Sequence, residues 1–284
     1  MITVFGSLNV DYVFQVTQLP APGETVLAAN MEVLPGGKGG NQALAAAKAG
    51  AKVHMVGAVG KDGLGDIAMA GLIAAGVDTS AVTQSLRPTG TAAINVDALG
   101  ENAITVSSGA NLEATGKSLD ATQLNSQTIL LLQMEVSMSA MVDLIQRCRD
   151  VVATIVWNLA PMQSIELAVL KRVDYLIVNE GELAQLHVEL FNGSNSANSS
   201  STSTEQQAQD VAAITGQSVV VTLGAGGTVA VHENTVLMVP ALPISPIDTV
   251  GAGDAFTGAF TAALDAGETF HQAIRWGNVA GGLA

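Results

Sequence analysis

Two hydrophobic periods alternate along this chain. Short apolar runs rich in β-branched residues predict strands over Thr3–Gly6, Val53–Val59, Ile129–Gln133, Ala153–Trp157, Tyr175–Val178 and Val219–Leu223. Between and after them lie alanine-rich stretches with helical spacing. These are Gly40–Ala49, Gly65–Ala75, Ser139–Arg149, Ile165–Arg172, Glu180–Leu186, Thr204–Thr215, Ala252–Ala266 and Phe270–Gly282. Such alternation predicts an α/β fold around a mostly parallel sheet. Two places break the rhythm: Tyr12–Val16 with Thr25–Val33, and Thr91–Ala98 with Asn102–Ser107, read as paired strands with no helix between. They predict a small separate sheet over one end of the main one. Ligands of open α/β folds bind beyond the carboxyl ends of the strands, so this small sheet would act as a lid that excludes water. The segment Asn192–Thr204 has no apolar residue larger than alanine and predicts a mobile surface loop.

Composition narrows the class. The 284 residues are enough for a sizeable core. Hydrophobic content is 48% and mean hydropathy is +0.39. Much of this is alanine, and no uncharged apolar run approaches the ~18 residues of a membrane span. The start, Met1–Gly6, reads as a strand and not as a secretory leader. Cys148 is the only cysteine, which excludes an intrachain disulfide framework and fits a reducing cytoplasm. The net charge is −14 with only 11 Lys and Arg, and no basic cluster offers itself to nucleic acid. A nucleotide triphosphate remains open to such a chain if Mg²⁺, helix N-termini and one or two placed cations carry the charge. His54, His187, His232 and His271 are scattered without metal-ligand spacing and read as ordinary surface or core residues.

The candidate chemistry sits where strands end and helices begin. In Asp248–Asp254, the small residues Gly251, Ala252 and Gly253 directly precede Asp254 and an apolar helical pattern. A helix start offers unpaired N–H groups and the positive end of the dipole, and small residues let an anion approach. Asp254 there suits a general base beside a transferring phosphoryl group, or an ordinary helix cap. Gly36–Asn41 lacks the Ser or Thr that a Walker A loop needs after Lys38. It is either a ligand-approaching loop with donors at Lys38 and Asn41, or a structural turn with a helix cap. Asn9 and Asp11 follow the first strand and point the same way if extended, as hydroxyl ligands or as turn residues. Glu135 lies just past another strand, as a ligand or a solvated junction. Asn179–Glu182 opens a helix and could hold hydrated Mg²⁺, or simply favour the helix start. Thr222–Gly227 is a glycine-rich turn, able to cup a phosphate or merely to close a hairpin.

Taken in order, these segments resemble the PfkB, or ribokinase-like, family of sugar and nucleoside kinases. The loop Gly36-Gly-Lys-Gly-Gly-Asn41 and the run Asp248-Thr-Val-Gly-Ala-Gly-Asp254 look like its two signatures. Gly6–Asp11, Pro22–Glu24, Pro35–Gln42 and Gly100–Asn111 look like the ribokinase branch. The resemblance covers almost the whole chain. It implies a single three-layer α/β/α domain with a β lid, and a homodimer contact through that lid. It further implies ATP-dependent phosphorylation of D-ribose at its 5-hydroxyl. Asp254 would be the base, and Gly251, Ala252 and Gly253 would form the anion hole. Asn9, Asp11, Gly37, Lys38, Asn41 and Glu135 would hold the pentose. Asn179, Thr222, Gly224, Gly227 and Asn278 would bind ATP, and Glu182 would support Mg²⁺ through water. Asp248 and Val250 would contribute to a K⁺ site. The family continues beyond the helix holding Asn278 whereas this chain stops at Ala284, so weakened K⁺ activation is expected. The low aromatic content, 4%, favours a small sugar over a nucleoside. A kinase for another small sugar or a nucleoside, or a non-catalytic sugar- or nucleotide-binding regulator, is the alternative.

Overall fold

In the computed structural model, residues 1–119, 123–191, 202–244 and 250–284 are described. Within them the apolar runs pair as neighbours in one nine-stranded sheet. Its centre is formed by β1 (Ile2–Phe5), β4 (Val53–Gly60), β8 (Ile129–Leu132), β9 (Thr154–Asn158), β10 (Tyr175–Asn179) and β11 (Ser218–Thr222). β5 (Asp78–Ser85) closes one edge, and β12 (Thr228–His232) and β13 (Thr235–Val239) close the other. The order is β13-β12-β11-β10-β9-β8-β1-β4-β5, parallel from β11 to β5 and antiparallel at β12 and β13.

The central strands read as unbroken apolar runs because both faces are covered. On β1, Ile2 and Val4 pack with α1 (Lys38–Lys48), α2 (Gly63–Ala74), α7 (Ala252–Asp265) and α8 (Phe270–Leu283). Phe5 faces the other layer, built from α3 (Met138–Asp150), α4 (Leu167–Leu170), α5 (Glu180–Phe191) and α6 (Thr204–Thr215). The α/β/α reading of the sequence is therefore the observed architecture.

The lid is a second sheet of four strands, β2 (Asn9–Gln15), β3 (Asn30–Gly36), β6 (Gly90–Val96) and β7 (Asn102–Ser107), in the order β3-β2-β6-β7. Its register places Val106, Ala92, Asp11 and Leu34 in one row across the sheet, on a common face. That face also carries Ile104, Ile94 and Val13.

Several expected elements differ. The lid strand expected from Thr25 begins at Asn30, because its partner β2 ends at Gln15 and leaves earlier residues nothing to pair with. The helix expected over Ile165–Arg172 shrinks to Leu167–Leu170, since Ile165 N–H is held by Glu189 Oε1 at 3.1 Å and Glu166 is extended. β5 and β13 were not anticipated. Both are edge strands with mixed, half-exposed sequences that carry no clear period. Residues 192–201 of the expected mobile loop lie outside the described residues. Ser203 belongs to the helix start, its Oγ accepting from Gln206 N–H at 3.3 Å.

Candidate active site

The expected site residues gather along one edge of the main sheet. Neighbouring strands β11, β10, β9, β8 and β1 end at Thr222, Asn179, Asn158, Leu132 and Phe5, and after β11, β10, β8 and β1 the chain enters a candidate segment. Asn179 is the register partner of Thr222, so the two expected nucleotide-side turns are adjacent. The lid rises from the same edge, because β2 begins just after β1 and β3 feeds directly into α1.

The loop at Gly36–Asn41 wraps Ser7. Gly40 N–H donates to the Ser7 carbonyl at 2.9 Å and Gly39 N–H to Ser7 Oγ at 3.3 Å. Ser7 Oγ donates to Glu135 Oε2 at 2.5 Å, and the same carboxylate oxygen accepts the Lys38 N–H at 3.0 Å. Glu135 thus braces the loop that carries Lys38 and Asn41. Asn9 is buried, its Oδ1 accepting from Asn111 Nδ2 at 2.7 Å, while Asn111 Oδ1 accepts from Leu8 N–H at 2.9 Å.

Asp254 lies in the first turn of α7, behind the cap Gly251, whose φ of 80° places it in the left-handed region. It is 7% exposed. Asn41 Nδ2 donates to its Oδ2 at 3.1 Å and Gln42 Nε2 to its Oδ1 at 2.8 Å. Burial pushes its carboxyl above the ordinary range, and Lys38 and the two amide donors oppose that. Asp11 is pushed up to about 6, first by burial and then by the negative charges of Glu135 and Asp254. Its Oδ1 is buried without a hydrogen-bond partner. Gly36 makes room for it, since a Cβ there would stand 2.1 Å from Asp11 Oδ2.

Asp11, Asn41, Gly251 and Asp254 line one cavity of about 900 Å³ under the lid. Val250 also lines it, and Asp248 lies outside the described residues. Asn9, Gly37, Lys38 and Glu135 belong to the hydrogen-bonded loop beside it, with Glu135 near enough for its charge to act on Asp11 and Asp254 and Lys38 on Asp254.

On the nucleotide side, Asn179 N–H donates to Glu182 Oε2 and Glu182 N–H to Asn179 Oδ1, both at 2.8 Å. This is a reciprocal capping box at the start of α5. Burial raises the Glu182 carboxyl, Lys38 opposes it, and the Asp254 charge adds to the rise. Lys38 thus acts on both Asp254 and Glu182. The turn after Thr222 runs through Gly224 (φ 55°) and Gly227 (φ 89°). Asn278 on α8 clamps its base, accepting from Thr228 Oγ1 at 2.7 Å and donating to the Val239 and Pro240 carbonyls at 3.1 and 3.2 Å. Among the described residues no three His, Cys, Asp or Glu side chains gather as a metal cage.

Sequence reading passed over Ser7, Gln42, Asn111, Gln133 and Asn158. Gln42 and Gln133 did carry a signal: each is a polar amide within an apolar helix face or strand run, and each is fully buried.

Comparison with known proteins settles the class. The model of the pfkB family carbohydrate kinases matches residues 1–284. The chain belongs to this family. It is 33% identical to a ribokinase of Haemophilus influenzae over 100% of its own length and 91% of that protein's. The crystal structure of ribokinase from Thermotoga maritima superposes with a TM-score of 0.88 at 32% identity, covering 99% of this chain and 91% of that one. A ribokinase of Arabidopsis thaliana complexed with ribose and ATP superposes with a TM-score of 0.84 at 29% identity, covering 99% and 91%. The chain is thus a ribokinase-type carbohydrate kinase of the family's fold. No helix among its described residues is long and apolar enough to cross a membrane.

Proposed function

We propose that this carbohydrate kinase transfers the γ-phosphoryl of ATP to the 5-hydroxyl of D-ribose. The observation that carries the reading is the buried Asp254 carboxylate, held by two amide donors at the start of α7 and sharing a cavity with Asp11 and Asn41. The names of its ribokinase relatives, one solved with ribose and ATP, support the choice of sugar.

In this reading Asn9, Asp11, Gly37, Lys38, Asn41 and Glu135 hold the pentose, with Asp11 and Asn41 on the cavity wall beside Asp254. Asp254 accepts the 5-hydroxyl proton as that oxygen bonds to the γ-phosphorus, and the bond to the departing ADP oxygen breaks. The N–H groups of Gly251, Ala252 and Gly253 meet the charge on the transferring phosphoryl, since a Cβ at Gly251 or Gly253 would meet nothing within 4 Å. Thr222, Gly224 and Gly227 cup the nucleotide, with Asn179 beside them and Asn278 clamping the turn. Glu182 would hold the water shell of Mg²⁺, which would supply positive charge for the phosphates. Asp248 and Val250 would contribute to a K⁺ site. Leu34, Ile104 and Val106 are exposed on the lid face that carries Asp11. That apolar face supports a homodimer joined through the lids.

A coupled ADP-release assay across ribose, deoxyribose, fructose and adenosine tests the reading. Ribose should give the highest kcat/KM, and Asp254→Asn should lower kcat by about 10²–10⁴-fold. Turnover that survives Asp254→Asn nearly unchanged overturns the mechanism.

A further inference from the structure

A row of buried amide side chains stands behind Asp254. Gln133 Nε2 donates to Gln42 Oε1 at 2.7 Å. Gln42 Nε2 donates both to Asn158 Oδ1 at 2.9 Å and to Asp254 Oδ1 at 2.8 Å. Asn158 Nδ2 donates to the main-chain carbonyl of Ile177 at 3.1 Å.

The last member sets the direction of the whole row. A main-chain carbonyl can only accept, so Asn158 turns its NH₂ to Ile177 and its oxygen to Gln42. Gln42 must then present its NH₂ to Asn158, and its second hydrogen falls on Asp254. Its oxygen is left facing the Gln133 NH₂. Gln42 and Gln133 are fully buried, so water offers neither an alternative partner. Gln133 keeps this place although its own Oε1 is buried without a partner, in space that a Cβ on Gly6 would fill at 2.0 Å. Polar groups so buried are costly, and an apolar core would pack here more cheaply. The phosphotransfer steps above use Asp254 but none of these three amides.

We propose that Gln42, locked in one orientation by Asn158 and Gln133, is a positioning residue that ties Asp254 Oδ1 inward and leaves Oδ2, on the Asn41 side, to receive the substrate proton. The inference rests on the reading of Asp254 as the base. A proton on Oδ1 would meet an N–H that cannot turn away, so the donor favours the anion and selects the oxygen that titrates. Other charges also reach Asp254. Lys38 of α1 favours its anion, while Glu135 beyond β8, Asp11 of β2 and Glu182 of α5 disfavour it. Lys48 of α1 lines the same cavity.

The test is Gln42→Met, near in length and a good helix former, assayed for ribose phosphorylation across pH. The acid limb of kcat should rise by about one pH unit or more, a roughly tenfold loss of turnover below the limb that is recovered in part at alkaline pH. Ribose KM should stay within about threefold, because the sugar's own contacts are untouched. A folded variant with an unmoved acid limb, or a loss equal at every pH, overturns the proposal. If Gln42→Met does not fold, Gln133→Met removes the donor that holds the Gln42 oxygen; a smaller rise of the same limb is expected, and none overturns it. A carboxyl ¹³C titration, with the Asp254 signal assigned by its loss in Asp254→Asn, reads the same tie without turnover. An Asp254 titration that is unshifted in Gln42→Met overturns the positioning role. A shift in a protein that phosphorylates no sugar keeps the positioning role and overturns only the base assignment.

Discussion

Replacing Gly36 with alanine isolates the aim of Asp11 from the stability of the fold. The added Cβ would stand 2.1 Å from Asp11 Oδ2 and 2.2 Å from its Cγ and Oδ1, where non-bonded atoms settle near about 3.5 Å. All three atoms of the carboxylate are too close, so Asp11 must leave its rotamer. The backbone itself is not strained, since Gly36 is not among the positive-φ residues. If Asp11 holds a ribose hydroxyl, losing that charged hydrogen bond costs about 1.5–3 kcal/mol, or roughly 10- to 150-fold in ribose KM. Stability should change little. Overpacking costs about 1–3 kcal/mol, while moving Asp11 frees an oxygen now buried without a partner, a gain of about 1–3 kcal/mol. The assay is coupled ADP release with ribose varied at saturating ATP, followed by the reverse titration. ATP KM should stay near the wild-type value. Gly63→Ala is the control, because its Cβ would meet nothing within 4 Å. A folded Gly36→Ala enzyme with ribose KM within about twofold of wild type refutes the placement of Asp11 on the sugar.

Two further outcomes follow from the same geometry. Asp11 is raised from 3.8 to about 6, so its folded form holds a proton that the unfolded chain has released. Its contribution to stability is therefore present below 3.8 and lost as pH rises through about 6. Thermal melts of wild type and Asp11→Asn between those values should diverge in slope, and parallel slopes refute the shift; ribose KM should also rise as pH falls through the same window. Gly227→Ala combines a φ of 89° with a Cβ 2.2 Å from the Val239 carbonyl oxygen. It should destabilise the protein by about 3 kcal/mol and raise ATP KM. A melt unchanged from wild type contradicts this account of the turn.

The sequence by itself determined the layers and marked the segments proposed as the site. Period alone separates strands from helices at β1, β8, β9, β10 and β11, because strands covered on both faces are written as continuous apolar runs. The short sheet over one end was legible for the same reason, since paired strands with no helix between them cannot join a parallel sheet locally. The edge strands β5 and β13 were not legible. Half-exposed strands carry weak periodicity, and their assignment comes from pairing with β4 and β12. At the site, the glycine loops and Asp254 stood out because helix starts and close approaches demand particular residue types. Their division of labour did not stand out. Glu135 and Asn9 have the chemistry of ligands, and their side chains also hold the loop and lid through partners 128 and 102 positions away. Gln42 shows the same limit most clearly. Its sequence neighbours mark it only as an amide on an apolar helix face. Its hydrogen bonds to Asp254, Asn158 and Gln133 span 212, 116 and 91 positions. Local pattern records how each residue meets its own element, and hydrogen-bond direction between distant elements exists only once the chain has closed.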